Sequence, residues 1–134
     1  MSINKVEEYW SNHTVAGTTF KNKNDSIAYI KTIDELYPFY LKLFDLYIKH
    51  ENKIVLDYGC GPGNDLVGFY LYSSCKKIIG IDISDKALSQ AKDRLTLHNA
   101  YISDNIHDEK GITLLKVHEH VSTINCPDNF IDYV

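Results

Sequence analysis

The sequence predicts an α/β domain built on a mainly parallel sheet, and three observations predict it. Two apolar runs, "KIVLD" ending at Asp57 and "KIIGID" at 77–82, are continuous rather than alternating, as in strands covered on both faces. A helix-length segment follows each run. A glycine-rich turn, "YGCGPG", joins the first run to the helix after it.

The elements follow in order. Residues 1–32 are polar, rich in Asn and Lys, and carry scattered aromatics at Tyr9, Trp10 and Phe20. They predict an arm of short helix and loop, set apart from a domain over 33–134. A helix is expected from Pro38, because proline is tolerated in a first turn. Its Phe39, Leu43, Leu46 and Tyr47 share a face, and Lys49 and His50 suit its C-terminal end. "NDLVGFYLYSS" is long enough for a short helix between the two apolar runs. After the second run Ser84 can cap a helix whose inward face is Leu88, Ala91 and Leu95. "NAYISDNIHDEKG" is a polar loop, "ITLLKV" a third strand, "PDN" a turn and "FIDYV" a fourth strand. Right-handed crossovers then give a parallel sheet.

Composition bounds the function. At 134 residues the chain has the size of one ordinary domain, 44% hydrophobic and 24% charged. A net charge of -4 disfavours broad electrostatic binding to nucleic acid. No apolar run approaches the ~20 residues of a membrane span, and the first ten residues carry no signal-peptide centre. The three cysteines are widely spaced and odd in number, which argues for reduced thiols and a cytoplasmic setting.

The stretch "VLDYGCGPGND" concentrates the chemistry. Gly59 and Gly61 permit backbone conformations and a close approach that a Cβ would block. Pro62 stiffens the loop, Gly63 lets the next helix start tightly against the strand, and amides at that helix start favour an anionic group. The spacing is G-x-G-x-G, with Asn64 where the dinucleotide fingerprint has its third glycine. Asp57, just before the loop, would repel a pyrophosphate and attract an ammonium. Asp82 ends the second strand, where an acid can grip ribose hydroxyls. The pattern calls for a ligand with an ammonium, a carboxylate and a nucleoside.

On these residues the chain resembles the class I S-adenosylmethionine (SAM)-dependent methyltransferases. "VLDYGCGPGND" followed by "IIGIDIS" is similar to their cofactor site, and "INCPDNFIDYV" to the later segment leading into their fourth strand. The resemblance covers about residues 30–134 and implies a Rossmann-like three-layer sandwich. It implies that Asp57 and the loop Gly59, Cys60, Gly61, Pro62, Gly63 and Asn64 hold the methionine part of SAM, that Asp82 binds the ribose, and that Ile83 packs on adenine. At the end of the third strand, where many relatives carry an acid and then a small residue, stand His120 and Val121; either His120 or Glu119 meets adenine, or the contact is lost. Tyr9 and Trp10 are either packing of the arm or a lid over the cofactor. The family fold continues past a fourth strand, so the chain is expected to hold about four strands in the order 3-2-1-4. The last strand would then be an edge left open or covered by a partner chain or second copy.

The function implied is methyl transfer from SAM to an acceptor, with a small molecule favoured, S-adenosylhomocysteine (SAH) as product and no catalytic base assignable. A non-catalytic SAM-binding module or a split enzyme portion needing a partner is the alternative, and a nicotinamide oxidoreductase is disfavoured by Asn64 and Asp57. Cys60 suits packing better than nucleophilic work. "HEH" at 118–120 lacks the further ligands that a metal site needs, so no metal is expected.

Overall fold

A computed structural model describes residues 3–14, 18–39, 47, 50–118 and 123–134. The described elements are α1 (Ile3–Asn12), α2 (Lys23–Leu36), β1 (Ile54–Tyr58), α3 (Asn64–Tyr72), β2 (Lys77–Asp82), α4 (Asp85–Leu97) and β3 (Gly111–Lys116). The three strands form one sheet in the order β1-β2-β3, and both pairings are parallel. The register sets Asp57 beside Gly80 and Asp82 beside Lys116, so the carboxyl ends of the strands lie together.

The continuous apolar runs are explained by burial on two faces. Val55, Ile78 and Ile112 point into one core with Leu66, Val67 and Phe69 of α3 and Ala91 and Leu95 of α4. Ile54, Leu56, Ile79 and Ile81 point the other way, under Ile106, Ile124, Phe130 and Ile131. Helices therefore cover the first face, while among the described residues irregular segments cover the second. The expected helices between and after the first two strands are present, and Ser84 caps α4 by accepting from the Ala87 amide at 3.2 Å.

The N-terminal region is more helical than "short helix and loop" suggests. Asn22 caps α2 through the Asp25 amide, and α2 runs across position 32. Its Ser26 and Ile30 are buried. The anchor is Arg94 of α4, which donates from Nε to Ser26 Oγ at 2.7 Å and from Nη2 to the Ser26 carbonyl at 2.9 Å. Its guanidinium also lies 4.3 Å from the Phe20 ring centroid. A periodicity reading does not find this link, because Arg94 looks like a surface residue at the end of a helix.

The fourth strand is reduced to a single bridge. Tyr133 pairs in parallel with Val55, and the Leu56 amide donates to the Tyr133 carbonyl at 2.8 Å. The segment thus lies on the side of β1 away from β2, the place that the order 3-2-1-4 assigns it. Beside the bridge, the side chain of Asp132 takes the Ile54 amide at 2.8 Å. The helix expected from Pro38 falls mainly on 40–46 and 48–49, outside the described residues.

Candidate cofactor site

Each strand end contributes one part of the site. β1 ends in Asp57-Tyr58 and passes into the glycine loop, and β2 ends in Asp82. The loop is stitched to β2: Gly59 and Cys60 both donate to the Ile81 carbonyl, at 2.8 and 2.9 Å, and Gly61 donates to Asp82 Oδ2 at 2.8 Å. The Gly63 amide closes onto Cys60. The amides of Gly59, Cys60, Gly61 and Gly63 are therefore occupied within the protein. A Cβ at Gly59 or Gly61 would meet no atom within 4 Å, and both residues have positive φ, +81° and +52°.

Gly63 has a different job from the one expected. A Cβ there would sit 3.0 Å from Ala91 Cβ, so this glycine lets the start of α3 pack on α4, rather than on the strand. Arg94 reinforces the same junction by donating from Nη1 to Asn64 Oδ1 at 3.2 Å. Asn64 is thus tied to α4, and Cys60, Pro62 and Gly63 are buried behind the loop surface.

Three carboxylates surround the loop. Asp82 is braced, accepting from Gly61 on one oxygen and from the Ser84 amide on the other at 2.8 Å. Each oxygen retains acceptor capacity. Asp65 accepts from the Tyr47 hydroxyl at 2.7 Å. Asp57 differs, because its Oδ2 is buried with no hydrogen-bond partner. Burial first, then the charges of Asp65 and Asp82, push its carboxyl up to about 7. Burial likewise pushes the Cys60 thiol well up, helped by Asp57 and Asp82, so Cys60 is a packing residue and not a nucleophile.

A cleft of about 400 Å³ opens over the glycine loop and Asp82, whereas Asp57, Cys60, Pro62, Gly63 and Asn64 are not among the residues that line it. Its floor is Gly59, Gly61, Asp82 and Ile83, and Val117 and His118 flank it from the end of β3. Helix α1 forms the opposite wall with Val6 and Trp10, and Thr14 follows on the same side. Trp10 therefore reaches the cleft, whereas Tyr9 is half-exposed and stacks on His13 with ring centroids 4.3 Å apart. Motif reasoning misses Tyr58, Val117 and His118 as cleft-lining residues. Their one signal is positional: each lies at or just past a strand's carboxyl end. Glu119, His120 and Val121, the adenine positions expected from the motif, lie outside the described residues.

The model of a methyltransferase domain matches residues 49–111, the span holding β1, the glycine loop and β2. The family match and the relatives support a place among the class I SAM-dependent methyltransferases. The uncharacterized methyltransferase C750.03c of Schizosaccharomyces pombe is 36% identical over 87 residues, covering 64% of this chain and 57% of that protein. The probable methyltransferase ltbC of Aspergillus luteorubrus is 52% identical over 46 residues, which is 34% of this chain and 16% of its own. The geranyl diphosphate C-methyltransferase of Streptomyces coelicolor A3(2) shares the fold at 15% identity and a TM-score of 0.54, over 85% of this chain and 46% of that one. The chain thus spans little more than half the length of the fuller curated match. Among the described residues no helix is long and apolar enough to cross a membrane, and no group of three or more His, Cys, Asp or Glu could hold a metal ion.

The site fits SAM, the cofactor of the methyltransferases that the chain resembles. SAM is a cation with an α-ammonium, and the buried, unpartnered Asp57 oxygen is an acceptor lacking such a donor. The side-chain-free surface of Gly59 and Gly61 leaves room beside it, and Asp82 stands one strand away with lone pairs to spare.

Proposed function

We propose that this chain binds SAM in the cleft at the carboxyl ends of β1 and β2 and transfers its methyl group to a small-molecule acceptor. The observation that carries the reading is the orphaned Oδ2 of Asp57 beside the open glycine surface. Asp57 receives the ammonium of the methionine moiety, with the Gly59–Gly63 loop against its chain. Asp82 accepts from the ribose hydroxyls while its carboxylate also accepts from the Gly61 amide and so holds the loop in register. Ile83 packs on the adenine, with Val117 and His118 at its edge, and Trp10 covers it from α1.

When bound, the cofactor supplies a methyl group on a positively charged sulfur, already activated for in-line displacement. The protein's own part is to position donor and acceptor and to exclude water. The cleft walls are largely apolar, with Val6, Trp10, Tyr58 and Val117, which suits a water-poor site. A small acceptor fits the acidic chain, which lacks a basic stripe for a polyanion.

Calorimetry with SAM and SAH tests the binding step, and transfer of a labelled methyl group to a panel of acceptors tests the chemistry. Folded protein that gives no heat with either ligand overturns the proposal. Binding without transfer across the panel supports instead a non-catalytic SAM-binding module.

A further inference from the structure

Helix α1 is fastened to the rim of the cleft at one point in particular. Lys116, the last residue of β3, places Nζ 2.6 Å from Glu7 Oε1 on α1 and 2.5 Å from Asp85 Oδ2, the first residue of α4. A second, weaker tie lies alongside, with Ser11 Oγ 3.3 Å from the Oγ of Ser84, the cap of α4. Val6 and Trp10 are four apart on α1, so they face the cleft together, while Glu7 and Ser11 form the adjoining, tethered edge. One rotation of α1 thus sets both.

Among the described side chains of α1, packing offers little else to hold it. None of residues 5–12 is buried. A lone surface ion pair contributes little to stability, yet docking of so lightly packed a helix is decided by small terms. Lys116 also serves two acids at once. Without it, two like charges from α1 and α4 would face each other and push the helices apart. The approach to the cofactor is direct, since Lys116 pairs with Asp82 in the sheet register and the next amide, Val117, donates to the Asp82 carbonyl at 3.0 Å.

We propose that Lys116 is a positioning residue whose ammonium seats α1, through Glu7 and Asp85, so that Trp10 closes over the bound nucleoside. The inference rests on the SAM-binding reading above for its ligand, but the seating of α1 is measurable without one. Trp10 is the only tryptophan in the sequence, so its fluorescence reports on this helix alone.

The test compares wild type, Lys116→Gln and Lys116→Arg. Acrylamide quenching of Trp10 in the ligand-free protein is expected to rise about twofold in Lys116→Gln and to return in Lys116→Arg. SAH release, followed by stopped-flow Trp10 fluorescence, is expected to quicken about five- to tenfold in Lys116→Gln, with association little changed. Raising salt from about 50 mM to about 500 mM should reproduce both effects in wild type and add nothing in Lys116→Gln. Equal quenching and equal release in wild type and Lys116→Gln overturn the proposal. If SAH does not bind wild type, the SAM reading fails, and the quenching comparison alone decides the latch. If Lys116→Gln fails to fold, Glu7→Gln breaks only the α1 arm of the latch at a part-exposed residue and carries the same comparison.

Discussion

Replacing Asp57 by asparagine should stabilise the protein while weakening its hold on the ligand. In the folded chain the Asp57 carboxyl is pushed up from 3.8 to about 7, by burial and then by Asp65 and Asp82. Below pH ~4 it is neutral in both folded and unfolded chains and contributes no pH dependence. Between pH ~4 and ~7 the unfolded chain ionises there and the folded chain does not, so stability falls as pH rises. Above pH ~7 both are ionised and the loss is complete. At about 1.4 kcal/mol per tenfold change, the full loss is about 4 kcal/mol, reduced to about 2–4 by residual solvent access. That is a large share of the ~5–15 kcal/mol that holds a domain together.

The asparagine side chain has nearly the same shape as the aspartate and no charge to desolvate. Urea denaturation of wild type and Asp57→Asn at pH 4, 6 and 8 should show the variant ahead by about 2–4 kcal/mol at pH 8, with the gap closing toward pH 4. Calorimetry should show SAH affinity falling about 100-fold, the scale of a lost charge-assisted hydrogen bond. Wild-type affinity should itself weaken about tenfold per pH unit below ~7, with a proton released on binding. A variant that is less stable than wild type at pH 8, or a stability gap that does not change with pH, would refute the assignment of Asp57 as a carboxylate held in reserve for a cation.

Three further outcomes are expected. Asp82→Ala leaves the Gly61 and Ser84 amides without their acceptor, so SAH binding should drop below detection by calorimetry and stability should fall by about 1–3 kcal/mol. Arg94→Ala strips donors from the Ser26 carbonyl and from Asn64 and should lower stability by about 3 kcal/mol, seen as a Tm about 10 °C lower by circular dichroism. In native protein at pH 8, iodoacetamide should label Cys126 well before Cys60, because Cys60 is buried and burial keeps its thiol protonated; mass spectrometry of timed digests reads the order.

The elements that the sequence determined by itself are those specified by local chemistry. Continuous apolar runs of this length, bounded by turn residues, suit strands buried on two faces, which places β1, β2 and β3. Ser84 announces α4 because a hydroxyl before a helical pattern can take an orphan amide. Asp57, the glycines and Asp82 are legible because positive φ and strand-end carboxylates leave fixed marks at fixed spacing. What only the tertiary structure decided are relations between residues far apart in the chain. No local pattern shows that Arg94 reaches back to Ser26, that Gly63 yields space to Ala91, or that Lys116 joins Glu7 to Asp85. Nor does any show that Trp10, and not its neighbour Tyr9, meets the cleft, since one step along a helix turns the side chain by about 100°. Propensity and periodicity act over a few residues, whereas these contacts depend on how whole elements dock, and docking is set by the shape of the packed core.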